Sequence, residues 1–351
     1  MQFTQPDARF SPRQIVSTIF AAAAALLVAA APARAEILVK DGQTVGFMGD
    51  SITAGGWGNP GGYVRLVVAG LAANGVKVTP VPAGISGHKS DQMLARLNKD
   101  VLDKKPKADW MTLSCGVNDV WHGARGIPLE QYKTNITAIL DQCQTVGTKV
   151  VILTATVINE ELDGDNNKKL ETYNDFLRTL AKERKAPIAD LYTQFATFIK
   201  AHPNTTGKPG RQLTSDGVHM APAGDQMMAR GVLQALGLDA AQLKKAESAW
   251  ADIPGGASLR VRFDAGQGKS FQGTAKLSVR QREQLAAQAT KSGKSLEALL
   301  TAAYAEEVTA LIKPGGEFET AAAIFEAKKN NDVQAKLQTK LDQRVEAMLK
   351  H

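Results

Sequence analysis

Two patterns of apolar residues alternate along residues 36–238. Short apolar runs of the strand type occur at 44–48, 77–81, 110–114, 149–154 and 187–190. Longer segments with a helical pattern lie between or after them, at 62–74, 91–104, 129–146, 167–185 and 222–236. This alternation predicts an α/β fold of three layers, in which a doubly wound, flavodoxin-like parallel sheet of about five strands has helices on both faces.

The pattern changes after residue 238. A turn-rich stretch, Trp-Ala-Asp-Ile-Pro-Gly-Gly at 250–256, predicts a linker over 241–256. Beyond it, helical patterns at 280–292, 295–313 and from 332 onward predict a mostly α-helical C-terminal extension over 257–351. In the last helix Val333, Leu337, Leu341, Val345 and Leu349 form an apolar stripe. Such a stripe needs a partner surface, either within the chain or in a second subunit.

Residues 1–35 have the pattern of a secretory signal peptide. Arg9 and Arg13 precede an apolar run over 15–31, and Ala-Arg-Ala at 33–35 is a small-residue cleavage pattern. We therefore expect a mature chain from Glu36, a secreted or periplasmic location and no stable membrane insertion after cleavage. An uncleaved membrane anchor is the alternative, although the run is short and rich in alanine.

Charge and cysteine content limit the partners. The formal net charge of +7 is a mild excess spread along the chain, typical of a solvated surface rather than of a nucleic-acid-binding protein. Cys115 is predicted at the end of the third strand, and Cys143 near the far end of a helix about 25 Å long that runs back antiparallel to that strand, so the two thiols are too far apart for a disulfide. No set of residues has metal-ligand spacing, so we expect no metal and no cofactor.

Candidate chemistry lies at the strand ends. Ser51 follows the first strand in Gly49-Asp50-Ser51, where a tight turn can present a hydroxyl at the sheet edge. Asp216 and His219 precede the last helix of this region, and their spacing in a turn lets a carboxylate bond the imidazole Nδ1–H. A helix-leading aspartate with an incidental histidine explains that pair equally well.

Two further turns contain possible oxyanion donors. Asn118 follows the third strand in Gly-Val-Asn-Asp, and its neutral amide can donate a hydrogen bond to a developing negative charge. Gly84 follows the second strand, where its backbone N–H can approach a ligand closely. Each turn alone is equally an ordinary strand end, but the four occur together.

In this combination the chain resembles the SGNH hydrolases, also called GDSL-type esterases, over about residues 42–238. Gly49-Asp50-Ser51 resembles the serine block, Gly84 the glycine block, Gly116-x-Asn118-Asp119 the asparagine block and Asp216-x-x-His219 the last block. The resemblance implies a hydrolase domain at 36–240. It also implies a nucleophile at Ser51, a general base at His219 and an orienting acid at Asp216. The implied oxyanion hole comprises the backbone N–H groups of Ser51 and Gly84 and the Asn118 side chain. Pro82 departs from the family, which often has asparagine there.

We expect a serine esterase that hydrolyses short acyl esters, acetyl above all, on a small molecule or glycan. The carbohydrate substrate rests on the resemblance of Gly-Val-Asn-Asp-Val-Trp at 116–121 to carbohydrate-acting members. A lysophospholipase or thioesterase of the same family is the alternative. The chain has no Gly-x-Ser-x-Gly motif, which argues against the lipases and esterases of the α/β-hydrolase fold.

The C-terminal region supports hypotheses of another class. Residues 276–279, followed by two helical patterns, resemble a ribbon-helix-helix DNA-binding unit in outline, but export would keep the protein from DNA. The C-terminal helices are alternatively an interaction module, through which the chain would form a homo-oligomer.

Overall fold

The computed structural model describes residues 36–203, 211–264, 270–312 and 330–350. Five parallel strands form its central sheet in the order β2–β1–β3–β4–β5. They are β1 (Thr44–Gly49), β2 (Thr79–Gly84), β3 (Trp110–Ser114), β4 (Lys149–Leu153) and β5 (Ile188–Ala189). Three of them, β1, β3 and β4, are largely apolar and buried, as expected for parallel strands covered on both faces. The predicted doubly wound sheet is confirmed.

The helices of this region pack in two groups. They are α1 (Ser51–Gly58), α2 (Tyr63–Ala73), α3 (Ser90–Leu97), α4 (Val117–Trp121), α5 (Leu129–Val146), α6 (Asp165–Arg184), α7 (Leu191–Ala201) and α8 (Pro222–Ala235). Helix α5 packs between α3 and α6, while α2 packs against α1 and α8. The predicted helix at 91–104 is divided, because a π-helical turn, Asn98–Leu102, continues α3.

Of these eight helices, three were not predicted: α1, α4 and α7. Helix α1 contains three glycines in the sequence Ser-Ile-Thr-Ala-Gly-Gly-Trp-Gly and has no helical apolar pattern. It forms because the Asp50 carboxylate caps its N-terminus, accepting the Ile52 N–H at 2.9 Å. Helix α7 begins in the same way at Asp190, whose side chain accepts the Thr193 N–H.

Strand β2 forms one edge of the sheet. The N–H groups of Thr79 and Ile85 donate to the Gln43 and Gly49 carbonyls of the β1 side, at 2.9 and 3.1 Å. Pro80 and Pro82 occupy alternate positions of β2, whose nitrogen atoms face away from β1. An edge strand tolerates proline there because no hydrogen bond is lost.

The linker prediction needs correction. Most of residues 241–256 form a further helix, α9 (Ala240–Trp250), which packs on α2. Leu243, Ala246 and Trp250 belong to the main apolar core, and the Trp250 indole N–H donates to the Leu66 carbonyl at 2.8 Å. The turn begins only after Trp250, so the turn residues misled the prediction.

The C-terminal region has an apolar core of its own. An antiparallel ribbon of β6 (Leu259–Asp264) and β7 (Ser270–Ala275) packs with α10 (Val279–Lys291), α11 (Leu296–Leu311) and α12 (Asn330–Leu349). Four residues of the predicted α12 stripe, Val333, Leu337, Leu341 and Val345, are buried in this core with Phe271 and Tyr304. The stripe therefore finds its partner surface within the chain.

The remaining predictions concern export and the cysteines. The predicted signal peptide, 1–35, lies outside the described residues. Within the described ranges no helix is long and apolar enough to cross a bilayer. Cys115 and Cys143 are both free and buried.

Candidate active site

Ser51 lies at the carboxyl end of the first strand of the chain, as the first residue of α1. Gly49 makes the sharp exit from β1 possible, because a Cβ at this position would overlap the Thr53 side chain. Ser51 is only partly buried, whereas Asp50 beside it is fully enclosed. The strand end and the helix cap thus fix the backbone around a hydroxyl that solvent can reach.

Asp216 and His219 lie on the loop that leads into α8. The His219 Nδ1 and Asp216 Oδ2 atoms are 2.6 Å apart, and Asp216 Oδ1 accepts the N–H groups of Val218 and His219 at 3.0 and 2.8 Å. Partial burial favours the protonated acid, but the hydrogen bonds from the His219 ring and from the two backbone amides outweigh it. They lower the pKa of Asp216 to about 2.

The structure brings these two residues to Ser51. His219 Nε2 lies 2.8 Å from Ser51 Oγ, so a continuous line of hydrogen bonds runs from the serine through the imidazole to the Asp216 carboxylate. With Nδ1–H donating to Asp216, the neutral ring presents an unprotonated Nε2 to the serine hydroxyl. The arrangement can therefore accept a proton from Ser51.

Asn118 lies close to the same serine through Asp50. Its Nδ2 donates to Asp50 Oδ2 and to the His88 carbonyl, both at 3.2 Å. Its Oδ1 is 3.1 Å from His122 Nε2, and its amide nitrogen is turned toward Asp50, the residue before Ser51. Burial raises the pKa of Asp50 to about 6, and the nearby Asp119 carboxyl also raises it. Above that pH the Asp50 carboxylate accepts from both Ile52 and Asn118.

Gly84 occupies a tightly packed position rather than an open one. It is the last residue of β2, beside Gly49, and a Cβ there would overlap the backbone of Thr53 and Ala54 in α1. This close approach explains the need for glycine at Gly84 without any ligand. Gly87 differs: it has a φ of +77°, and a Cβ there would meet nothing within 4 Å. Sequence reasoning did not single it out, although it precedes the His88 carbonyl that Asn118 bonds.

Arg96 is a second residue that sequence reasoning missed. Its guanidinium is buried and donates to the carbonyls of Gly49 and Ala83, at 2.7 and 2.8 Å, where β1 and β2 end. Its Nε donates to His88 Nδ1 at 3.0 Å. Burial lowers the pKa of His88, and the Arg96 charge lowers it further, so the ring is neutral with its proton on Nε2. Arg96 lies on the buried face of α3, where the sequence pattern predicts an apolar residue rather than a charged one.

Two aromatic residues that follow the serine and asparagine motifs, Tyr63 and Trp121, have different environments. Tyr63 is fully buried and its hydroxyl hydrogen-bonds Thr53 Oγ1 at 2.8 Å, so it belongs to the core. Trp121 is 41% exposed on α4, the helix that contains Asn118. Ile85, in the turn after β2, is 40% exposed. Exposed apolar side chains therefore follow the second and third strands of the chain.

Comparison with known proteins agrees with this fold. Residues 47–227 match the model of the GDSL-like Lipase/Acylhydrolase family. Together with its sheet and its similarity to esterases, this match defines the chain as a carboxylic ester hydrolase. Because the match spans more than half of the sequence, the chain belongs to the GDSL-like lipase/acylhydrolase family.

The individual relatives share about a quarter to a third of their residues with this chain over the matched regions. The chain is 34% identical over 112 residues to esterase TesA of Pseudomonas aeruginosa, covering 32% of this chain and 53% of TesA. It is 25% identical over 173 residues to the uncharacterized lipoprotein YqeF of Bacillus subtilis, covering 43% and 70%. Among solved structures, the acetyl xylan esterase AlAXEase is 29% identical with a TM-score of 0.50, over 55% of this chain and 98% of the other. The acetylxylan esterase Axe2 of Geobacillus stearothermophilus is 25% identical with a TM-score of 0.51, over 57% and 97%.

Proposed function

We propose that this chain is an exported serine esterase that removes acetyl and other short acyl groups from a carbohydrate. The observation that carries the proposal is the line of contacts from Asp216 Oδ2 to His219 Nδ1 and from His219 Nε2 to Ser51 Oγ, at 2.6 and 2.8 Å. An aligned nucleophile, base and orienting acid are the parts that acyl transfer through a serine requires.

In the proposed reaction His219 Nε2 takes the proton of Ser51 as the serine oxygen attacks the ester carbonyl carbon. The resulting tetrahedral intermediate collapses, its bond to the alcohol oxygen breaks, and His219 gives that oxygen the proton. The alcohol, a sugar hydroxyl, leaves and Ser51 remains acylated. Water then attacks the acyl carbon with His219 as base, which releases the carboxylic acid and restores the serine. Asp216 stabilises the imidazolium in both halves.

Three donors are proposed for the oxyanion. The Ser51 N–H is a first-turn amide of α1, which has no carbonyl partner within its helix. The Asn118 amide is held near Asp50 and would turn one N–H to the substrate oxygen. For the third donor we propose Gly87 in place of Gly84, because Gly87 lies in the turn that Asn118 contacts at His88 and its surroundings are open.

Support for a carbohydrate substrate comes from two relatives and from the exposed side chain of Trp121. Two solved acetylxylan esterases share the fold at 29% and 25% identity. The exposed Trp121 offers a flat apolar surface of the kind against which a sugar ring stacks. The partial match to TesA supports esterase activity without selecting an acyl group, so a lysophospholipase or thioesterase of the same family is the alternative. Export is supported by the predicted signal peptide and by the match to a lipoprotein.

Chain-length preference tests the proposal. We would measure hydrolysis of p-nitrophenyl esters from acetate to octanoate, and release of acetate from acetylated xylo-oligosaccharides, with Ser51→Ala as the blank. A preference for acetate that disappears in the variant supports the proposal. A preference for octanoate favours the alternative, and activity retained by Ser51→Ala would show that the nucleophile is wrong. Fractionation of cells expressing residues 1–351, with N-terminal sequencing, tests export and cleavage before Glu36.

A further inference from the structure

Glu160 holds the base of the loop that contains Asp216 and His219. Its Oε1 accepts the backbone N–H groups of Leu213 and Thr214, at 2.9 and 2.7 Å, and the Thr214 hydroxyl at 2.7 Å. Its Oε2 accepts the Gln212 N–H at 2.9 Å. Three consecutive amides and a hydroxyl thus converge on one carboxylate, the only common side chain that can accept from all of them.

The loop beyond these residues closes on itself. Thr214 forms an antiparallel bridge with Met220, and the Ser215 N–H donates to the His219 carbonyl at 2.8 Å. Asp216 and His219 lie between the two sides of this closure, so the orientation of both depends on where Thr214 is held. Glu160 is therefore connected to the His219 ring through a short and well-bonded stretch of chain.

Asn159 holds the tip of the same loop. Its N–H donates to the Gly217 carbonyl at 2.7 Å, and a Cβ at Gly217 would overlap the Asn159 side chain. Asn159 and Glu160 have φ angles of +59° and +58°, left-handed values that asparagine adopts more readily than other residues with a side chain but that are uncommon for glutamate. Such conformations persist where the surrounding structure requires them, and here they aim the backbone of Asn159 and the carboxylate of Glu160 at one loop.

We propose that Glu160 is a positioning residue for catalysis, which fixes the Asp216–His219 loop so that His219 Nε2 stays in reach of Ser51. This inference rests on the proposed function, since it assigns Glu160 a role in the same serine chemistry. Glu160 does not touch the reacting atoms. It acts through Thr214 and the loop, and its loss misaligns the base rather than removing it.

Glu160→Gln is the informative substitution, because it keeps the length of the side chain and replaces one acceptor oxygen by an NH2 group that faces an N–H donor. A displacement of the base of about 1 Å is enough to lower the rate roughly 100-fold. We expect kcat for p-nitrophenyl acetate to fall roughly 10- to 100-fold with KM little changed. The rate at which a p-nitrophenyl phosphonate modifies Ser51 should fall by a similar factor, since that reaction also needs His219.

Glu161→Gln is the matched control. Glu161 is the next residue, it is exposed, and its side chain makes no hydrogen bond to any described residue. Both variants are compared per mole of folded protein, measured by circular dichroism at the assay temperature. Wild-type kcat and phosphonate reactivity in folded Glu160→Gln would overturn the inference, as would a loss that only follows the unfolded fraction.

Two further outcomes are decisive. If Glu160→Gln does not fold, Thr214→Val removes only the hydroxyl bond of 2.7 Å and keeps the three amides. A several-fold lower kcat in this variant supports the inference, and an unchanged kcat overturns it. If wild-type protein hydrolyses none of the esters, or Ser51→Ala is as active as wild type, the proposed function fails and the inference fails with it.

Discussion

The buried carboxylate of Asp225 accepts the backbone N–H of Tyr63 at 2.8 Å, across 162 residues of chain. Asp225 lies in the first turn of α8, just after His219, and Tyr63 begins α2, just after the helix that Ser51 starts. The bond therefore ties the two segments that contain the proposed base and nucleophile. Burial raises the pKa of Asp225 to about 7, and the Tyr63 hydrogen bond only partly offsets this.

Asp225 should make the protein less stable as the pH rises. Between about pH 4 and pH 7 the folded chain keeps a proton on Asp225 that the unfolded chain has released, because the folded pKa is about 7 and the model-compound value is 3.8. The free energy of unfolding therefore falls through this range and levels off above it. The difference in free energy of unfolding between Asp225→Asn and wild type should therefore grow in favour of the variant, by up to about 4 kcal/mol, as the pH rises from 4 to 8. Urea unfolding at several pH values measures this.

The raised pKa of Asp50 acts in the same direction, but it is present in both proteins and cancels in the comparison. Asp163→Asn, at an exposed carboxylate, serves as the control. If Asp225→Asn kept the pH dependence of the wild type, the buried carboxylate would not be its source.

Removing the Asn118 amide should slow catalysis without weakening binding. If this amide stabilises the oxyanion, Asn118→Ala lowers kcat by about 100- to 1,000-fold and leaves KM nearly unchanged, because the bond is made in the transition state. Steady-state kinetics with p-nitrophenyl acetate measures both constants. Asn98→Ala, at an exposed asparagine of the π-helical turn, controls for substitution as such. An unchanged kcat in Asn118→Ala would remove this residue from the proposed oxyanion hole.

Two glycines of α1 should respond to alanine in opposite ways. A Cβ at Gly56 would overlap the buried Tyr63 ring, so Gly56→Ala should lose about 1–3 kcal/mol of unfolding free energy. A Cβ at Gly58 would meet nothing within 4 Å, so Gly58→Ala should gain about 0.5–1 kcal/mol by restricting the unfolded chain. Chemical denaturation of the two variants checks the pair. Equal effects would mean that α1 and Tyr63 are not packed this closely.

Truncation should show where the first core ends. We expect a chain that ends at Gly256 to unfold cooperatively and keep esterase activity, because the two apolar cores share no residue. A chain that ends at Ala240 loses Leu243, Ala246 and Trp250 from the first core, and a large buried side chain alone contributes about 3–5 kcal/mol. Thermal unfolding and kcat of both chains test this. If the chain that ends at Gly256 did not fold, the C-terminal core would be needed to stabilise the main apolar core.

The sequence predicted what depends on local pattern. Runs of apolar residues identified the strands, and three short motifs placed Ser51, Asn118, Asp216 and His219 at the ends of elements that the sheet brings together. The roles of Arg96 and Glu160 were not predicted, because the sequence around a charged residue does not show whether its side chain is buried or exposed. Their roles arise from backbone carbonyls and amides at distant positions, which no spacing rule encodes. Helix α1 was not predicted because it begins at a single capping carboxylate, that of Asp50, and has no apolar stripe.

Pro80 and Pro82 limit the pairing of strand β2 with a strand of another molecule. An open sheet edge offers N–H groups that a strand of another molecule can pair with, and uncontrolled pairing leads to aggregates. On the outer side of β2 these two positions present no donor, and at the opposite edge β5 is only two residues long. Neither border of the central sheet therefore offers a continuous row of donors for pairing with a strand of another molecule.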